Sequence, residues 1–206
     1  MTVEATPIES DYQTVLQQVA IAYCNHDRDR PQPKRVVDAL LQAEKAAKQQ
    51  RLSYPFDRLV GSWQLCFSTG TRKLRQRGGI ALGKGFYLPR FTPASIGFRV
   101  SDSHANLLEI NNQIQVGGLK LKLTGPAKYL NKKNLLAFDF TQVQISALGR
   151  SLYAGNFRSG KAKTGAFADQ PIAKLPFFAF FLITDDFIAA RGRGGGLAIW
   201  VRSTTA

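Results

Sequence analysis

The sequence predicts a mainly β protein in which two N-terminal helices precede an antiparallel β-barrel. Up to about Arg51, apolar residues recur with the 3.6-residue period of an amphipathic helix. From Leu59 onward they alternate with polar residues, which indicates strands with one buried face. Tight-turn sequences rather than helices separate these strands, which favours a barrel or sandwich over a parallel α/β sheet. We therefore divide the chain into a helical segment, residues 1–58, packed on a barrel, residues 59–206.

A polar stretch containing prolines separates the two predicted helices. Ser10 can cap the first helix, which we expect to end near Asn25. Its apolar positions are Tyr12, Val15, Leu16, Val19 and Tyr23. The second helix begins after Pro33 and ends near Arg51. Its apolar stripe consists of Val36, Val37, Leu40, Leu41 and Ala47.

The strand pattern that follows contains one clear hairpin and one change of phase. Gly117-Gly118 provides a two-residue turn between two strands with one apolar face each. In the segment 135–148 the apolar phase reverses, so we expect a β-bulge near Thr141 or Gln142. Further strands are predicted at 151–157, 180–184, 187–191 and 197–202, with turns at 185–186 and in the glycine-rich stretch 192–196.

Alternation from Trp63 and the apolar phase of the later strands predict which side chains face the barrel interior. These ligand-binding candidates are Trp63, Leu65, Phe67, Leu121, Phe138, Phe140, Tyr153 and Phe157. A barrel of about eight strands is just wide enough to hold one small ligand. Flat aromatic walls suit a rigid polyene or a quinone ring.

The chain carries a large positive charge, +14, from 28 Lys and Arg against 14 Asp and Glu. This favours an anionic partner, either nucleic acid or an anionic membrane surface. Nucleic-acid-binding barrels interleave exposed aromatics with basic residues, whereas the aromatics here alternate toward the core, so we consider nucleic acid the weaker alternative. The predicted membrane contacts are Arg72, Lys73, Arg75, Arg77, Phe177 and Phe178. The longest apolar run, 175–183, is too short to span a bilayer.

The sequence contains no legible catalytic or metal-binding constellation. His26 and His104 lack neighbouring residues at metal-ligand spacing. Asp185-Asp186 is more typical of a turn than of an acid/base pair. Only two cysteines are present, Cys24 and Cys66, which favours a reducing compartment. We therefore expect a protein that is not an enzyme and has no cofactor or metal.

The sequence resembles known proteins at two scales, a short motif and most of the predicted barrel. Gly61-Ser62-Trp63 is similar to the Gly-x-Trp of lipocalins, in which the Trp closes the barrel floor and an Arg of the last strand covers it. Arg202 is the first candidate for that Arg, and Arg191 the second. At larger scale, residues 59–202 resemble the plastid-lipid-associated (fibrillin) family, most closely at the two ends. The matching C-terminal positions are Asp186, Arg191, Gly192, Gly196 and Arg202.

The resemblance implies a lipocalin-like barrel that binds a carotenoid, a prenylquinone or a fatty acid. It also implies a cytoplasmic protein peripheral to thylakoid membranes (or to stroma and plastoglobules in a eukaryote), with a role in photoprotection or in lipid and pigment homeostasis. The start of the chain resembles neither a secretory signal nor a transit peptide, which favours a cyanobacterial member. The main alternative is a structural coat on membranes or lipid bodies, with a filled barrel. A pigment-handling enzyme on the same fold is a further alternative.

Overall fold

The computed structural model describes residues 11–73, 80–101, 108–156, 167 and 169–203, and for residues 71–73, 80 and 81 it describes the backbone alone. Helix α1 spans Asp11–Cys24 and helix α2 spans Pro33–Gln50, as the periodicity predicts. Pro33 lies in the first turn of α2, where its missing N–H costs no helical hydrogen bond. Among the described residues, no helix is long and apolar enough to cross a membrane.

Thirteen strands are present in the described part of the chain. They are β1 Gly61–Ser68, β2 Thr71–Lys73, β3 Ile80–Leu82, β4 Phe86–Tyr87, β5 Ala94–Val100, β6 Leu108–Val116, β7 Leu119–Leu130, β8 Leu135–Phe138, β9 Gln142–Ala147, β10 Arg150–Asn156, β11 Phe177–Ile183, β12 Phe187–Gly192 and β13 Leu197–Arg202.

Eight of these strands form a closed antiparallel ring. The ring order is β1, β5, β6, β7, β8, β11, β12 and β13, and β13 pairs back onto β1. Trp63 pairs with Arg202 and Leu65 with Trp200 along this seam. Strand β8 is short and links β7 to β11. The predicted antiparallel barrel preceded by two helices is therefore confirmed.

Strands β9 and β10 lie outside the ring and extend the sheet beyond the rim of the barrel. Both β8 and β9 pair with β7: Phe138 lies opposite Ala127, and Val143 lies opposite Leu123. Between these pairs the β8–β9 segment has one residue more than β7, because Thr141 and Gln142 both bond to Thr124. The predicted β-bulge is confirmed, and so is the turn at Gly117-Gly118.

Successive side chains of the barrel strands point alternately into two hydrophobic cores, one beneath the helices and one inside the barrel. On β13, Ile199 and Val201 face the helices, where they pack with Leu16 and Leu40. Trp200, between them, faces the barrel interior. The helices therefore cover the outer side of the wall formed by β1, β11, β12 and β13 rather than the barrel mouth.

One ion pair fastens α2 to this wall. The Arg191 guanidinium of β12 donates from Nε to Glu44 Oε1 at 2.8 Å and from Nη2 to Oε2. Both side chains are mostly buried. The hydrogen bonds from Arg191 hold the pKa of Glu44 below its ordinary value, although burial opposes that shift. Arg191 thus holds a helix, and it is not the Arg that covers Trp63.

Candidate ligand site at the mouth of the barrel

The floor of the barrel is closed by Trp63 and Arg202. The Trp63 ring is fully buried, and its indole N–H donates to the Leu59 carbonyl at 2.8 Å. The Arg202 guanidinium lies 4.0 Å from the centre of the Trp63 ring. Its Nη1 also donates to the Val60 carbonyl at 3.2 Å. The predicted pairing of Trp63 with the last-strand Arg202 is confirmed, and this end of the barrel is sealed.

Between floor and mouth, aromatic side chains pack against one another. Phe138 and Phe178 are stacked with their ring centres 5.2 Å apart, and Phe178 meets Trp200 edge-on at 5.5 Å. Phe98 and Phe180 are also edge-on, at 5.9 Å. These contacts fill the lower interior, so any ligand must bind above them.

Above the aromatic side chains, the mouth contains an open recess of about 250 Å³. Phe178 and Trp200 are its largest lining side chains, and half of its lining residues are Gly, Ala or Ser. The full lining is Leu65, Ser68, Ala94, Ser95, Ile96, Asn112, Phe178, Gly192, Gly196, Leu197, Ala198 and Trp200. None of these described lining residues carries an ionisable side chain, so the recess suits an uncharged apolar group.

An apolar sheet face continues upward from the recess. On β6, Ile110 faces the barrel interior and Asn112 lines the recess, and Ile114 and Val116 follow in the same phase. The residues paired with them extend this face across β7, β9 and β10. We call the resulting surface the apolar wall; it consists of Ile114, Val116, Leu119, Leu121, Leu123, Val143, Ile145 and Tyr153.

The apolar wall is incompletely covered by the rest of the described chain. Val116, Leu119 and Tyr153 are each at least half exposed, and Leu121 is half-buried. A folded protein seldom leaves such a contiguous apolar surface open without an interaction that uses it. The recess and the wall together form one continuous candidate site.

Four of the predicted ligand-binding residues line the barrel interior. Trp63 lies at the floor, Phe138 and Phe140 lie in the aromatic packing, and Leu65 lines the recess. Leu121 lies on the apolar wall beyond the rim. Phe157 lies outside the described residues.

Two inward assignments are wrong. Cys66 is the extra residue of a bulge in β1 between Leu65 and Phe67, and this bulge reverses the phase. Phe67 consequently packs in the core beneath the helices. Tyr153 lies on β10, outside the closed ring, with half of its surface exposed.

Of the residues predicted to contact a membrane, the structure describes the side chains of Phe177 and Phe178 only. Phe178 is half-buried in the recess, and Phe177 is half-buried in a cluster with Leu175 and Phe167, so neither forms an exposed apolar lip. The backbones of Arg72 and Lys73 belong to β2. Residues Arg75 and Arg77 lie outside the described residues, so the basic loop stays a prediction.

Several interior residues were missed by the sequence reasoning. Trp200 lies two residues before Arg202, and period-two alternation from Arg202 would have placed it inside. Ile96 and Phe98 belong to β5, a strand that was not predicted. Their alternation in the short stretch ASIGFRV was the only available signal.

Comparisons with known proteins give little further information. No family model matches the chain, and no curated protein matches it. Among solved structures, the chain is similar to a redesigned β-barrel at 9% identity and a TM-score of 0.33, over 72% of this chain and 94% of that one. A similarity at this level carries no argument, so the fold and the site rest on the strand pairing and packing described above.

Proposed function

We propose that the protein binds a hydrophobic small molecule or lipid of the carotenoid, prenylquinone or fatty-acid class at the barrel mouth. One end of the molecule would occupy the recess, and the remainder would lie along the apolar wall. The observation that carries this proposal is the apolar surface of the recess at Trp200 and its continuation, beyond Asn112 at the rim, along the apolar wall to Val116 and Leu119. Burying that surface under a ligand gains about 25 cal/mol per Å².

The dimensions and the charge of the site narrow the ligand class. A recess of about 250 Å³ is smaller than the roughly 300–1,000 Å³ of pockets that enclose a drug-sized ligand. Only a ring or a chain end fits inside it, which suits an elongated molecule. Because the lining lacks an ionisable group, a carboxylate in the recess would have no charged partner there. Carotenoids and prenylquinones therefore fit better than a fatty acid bound head-first.

The proposal is non-enzymatic, and its setting follows from the resemblance to the fibrillin family. That resemblance supports a peripheral position at thylakoid membranes, with a role in photoprotection or in lipid and pigment homeostasis. The recess offers packing surface and one amide, that of Asn112, rather than an acid, a base or a nucleophile beyond two serines.

The proposal is tested by narrowing the recess. Ala198 faces the interior and lines the recess. Ala198→Leu should lower the affinity for a carotenoid or a prenylquinone about tenfold, measured by quenching of the tryptophan fluorescence. Stability should change by less than about 1 kcal/mol, because the added atoms enter open space rather than a filled core.

Ala154→Leu is the matched control, because Ala154 is exposed on the outer face of β10 and its enlargement should leave affinity unchanged. If the parent protein binds none of the three ligand classes, the proposal is wrong. The aromatic contacts that fill the lower barrel would then favour the second candidate, a structural coat with a filled barrel.

A further inference from the structure

Two tight turns lie side by side at the far end of the apolar wall. Gly117-Gly118 joins β6 to β7, and Leu148-Gly149 joins β9 to β10. The Leu148 N–H donates to the Gly118 carbonyl at 2.9 Å, which fixes the two turns together. We call the two turns and their flanking apolar residues the hairpin edge; the flanking residues are Val116, Leu119 and Leu152.

The hairpin edge exposes large apolar side chains. Leu148 is 87% exposed and Leu152 is 65% exposed. In water, such a tip is ordinarily built from Asn, Asp and Gly. Leu148 borders the polar face of the sheet, and Val116 and Leu119 end the apolar wall on its other face, so both faces meet at an apolar edge. Large exposed apolar side chains grouped at one edge indicate a surface that contacts a partner or a lipid phase.

The backbone at Leu148 gives an independent indication of function. Leu148 has φ +48° and Gly149 has φ +80°, so both residues of the turn are left-handed. This is the geometry of a two-residue hairpin turn in which Asn or Gly is strongly preferred at the first position. A leucine there is both strained and exposed, a combination that disfavours the isolated fold and is typical of a functional position.

The charges next to the hairpin edge are all of one sign. Lys120, Lys122 and Arg150 lie on the adjoining strands, and residues 110–124 and 142–156 contain no Asp or Glu. Within the described residues, none of these three cations belongs to an ion pair. Lys120 and Lys122 point to the polar face of the sheet, opposite to Leu119 and Leu121, and Leu148 borders that polar face at its end. An apolar tip with cations behind it matches the depth profile of an anionic bilayer surface.

We propose that the hairpin edge inserts into the interfacial region of an anionic membrane leaflet, with Leu148 at its tip. Lys120, Lys122 and Arg150 then lie at the level of the phosphate groups. This contact uses neither Phe177 and Phe178 nor the basic segment at 72–77.

The position of the edge links the membrane to the recess, and this link rests on the proposed function. Asn112 lines the recess and Val116 lies at the edge, four residues further along β6. At about 3.4 Å per residue the two are separated by roughly 14 Å. The apolar wall spans most of that distance, so a hydrophobic molecule moving between bilayer and barrel can keep one side against apolar surface.

The experiment measures binding of the full chain to vesicles of phosphatidylcholine with and without phosphatidylglycerol. Leu148→Asn removes the apolar tip and supplies a residue that suits the left-handed turn, so the variant should fold at least as well as the parent. It should bind the anionic vesicles about tenfold more weakly.

A second variant, Lys120→Gln with Lys122→Gln, tests the cations. It should weaken binding by about fivefold per lysine, and only to vesicles that contain the anionic lipid.

Val100→Thr is the matched control, because Val100 is an exposed apolar residue at the floor end of the barrel. Its vesicle affinity should equal that of the parent. Equal binding by Leu148→Asn and the parent would overturn the proposal. So would a parent dimer that Leu148→Asn converts to monomer with no change in vesicle binding, because the edge would then join two copies of the chain.

The outcome separates this proposal from the ligand proposal. A ligand titration without vesicles should give the same affinity for Leu148→Asn as for the parent. A parent that binds ligand but not anionic vesicles refutes membrane insertion alone. A parent that binds vesicles through Leu148 but takes up no ligand refutes the proposed function alone.

Discussion

At the scale of single residues, Arg202 makes three kinds of contact that close the barrel floor. Its guanidinium lies over the Trp63 ring, donates to the carbonyls of Val60 and Asp185, and fills the space beside Gly61. A Cβ atom at Gly61 would lie 3.0 Å from Arg202 Nη1, and Gly61 has φ +128°, a conformation that favours glycine. Gly61, Trp63 and Arg202 therefore act together, which explains why a short motif predicted this end correctly.

Removing the Trp63 ring should be among the most damaging single substitutions. Trp63→Ala leaves a large cavity and removes the ring on which the Arg202 guanidinium packs, so it should lower the free energy of unfolding by about 3–5 kcal/mol. Urea denaturation followed by circular dichroism measures this change. Trp63→Phe should lose distinctly less, and an Ala variant as stable as the parent would mean that the floor is not a structural element.

Other residues were beyond prediction because alternation cannot detect a bulge that preserves an apolar pattern. Cys66 and Phe67 are both apolar enough for either face, so the extra residue at Cys66 left no trace in the sequence. At 139–142 the bulge was predictable because the apolar residues before it and after it fall in opposite phases of the alternation. Tyr153 was misplaced for a different reason: alternation gives the face of a strand but not whether that strand belongs to the closed ring.

At the scale of elements, helix α2 is held by both packing and charge. Leu40 and Ala43 pack on the outer side of strands β11, β12 and β13, and Glu44 forms the ion pair with Arg191. The periodicity of the sequence predicted the helix and its apolar stripe. It gave no indication that Glu44, one residue off that stripe, would be buried against a strand nearly 150 positions away. Long-range partners of charged residues leave no local pattern.

The Glu44–Arg191 pair predicts a pH dependence of stability. The pKa of Glu44 is lowered in the folded protein by the Arg191 hydrogen bonds. Its stabilising contribution is therefore complete above the unfolded value, near 4.5, and is lost as the pH falls through the lower folded value. Glu44→Gln should reduce the unfolding free energy by about 1–3 kcal/mol at pH 7, and by progressively less below pH ~4.5.

Chemical denaturation of both proteins across this pH range provides the measurement. Lys48→Gln serves as the control, because Lys48 also pairs with Glu44 but is largely exposed. That variant should change stability by no more than about 0.5 kcal/mol. A constant difference between parent and Glu44→Gln down to acid pH would show that the carboxylate charge contributes nothing.

At the scale of the whole molecule, the helices and the barrel share one wall. The sequence suggested a boundary near residue 58, because the hydrophobic period changes there. The structure places Leu16, Val19 and Leu40 in the same cluster as Phe187 and Ile199, so the barrel wall is buried on both sides. A helical segment that covers the apolar outer face of a barrel cannot dissociate without exposing that face to water.

The shared wall predicts a single cooperative unfolding transition. The two long α-helices, α1 and α2, lie before residue 58, and both tryptophans of the sequence, Trp63 and Trp200, lie in the barrel interior. Ellipticity at 222 nm therefore follows mainly the helices, and tryptophan fluorescence follows the barrel. In a urea titration the two signals should give the same midpoint, as expected for one two-state unit. A helical signal that disappears at lower urea than the fluorescence signal would instead establish residues 1–58 as a separate folding unit, because the barrel would then persist without its cover.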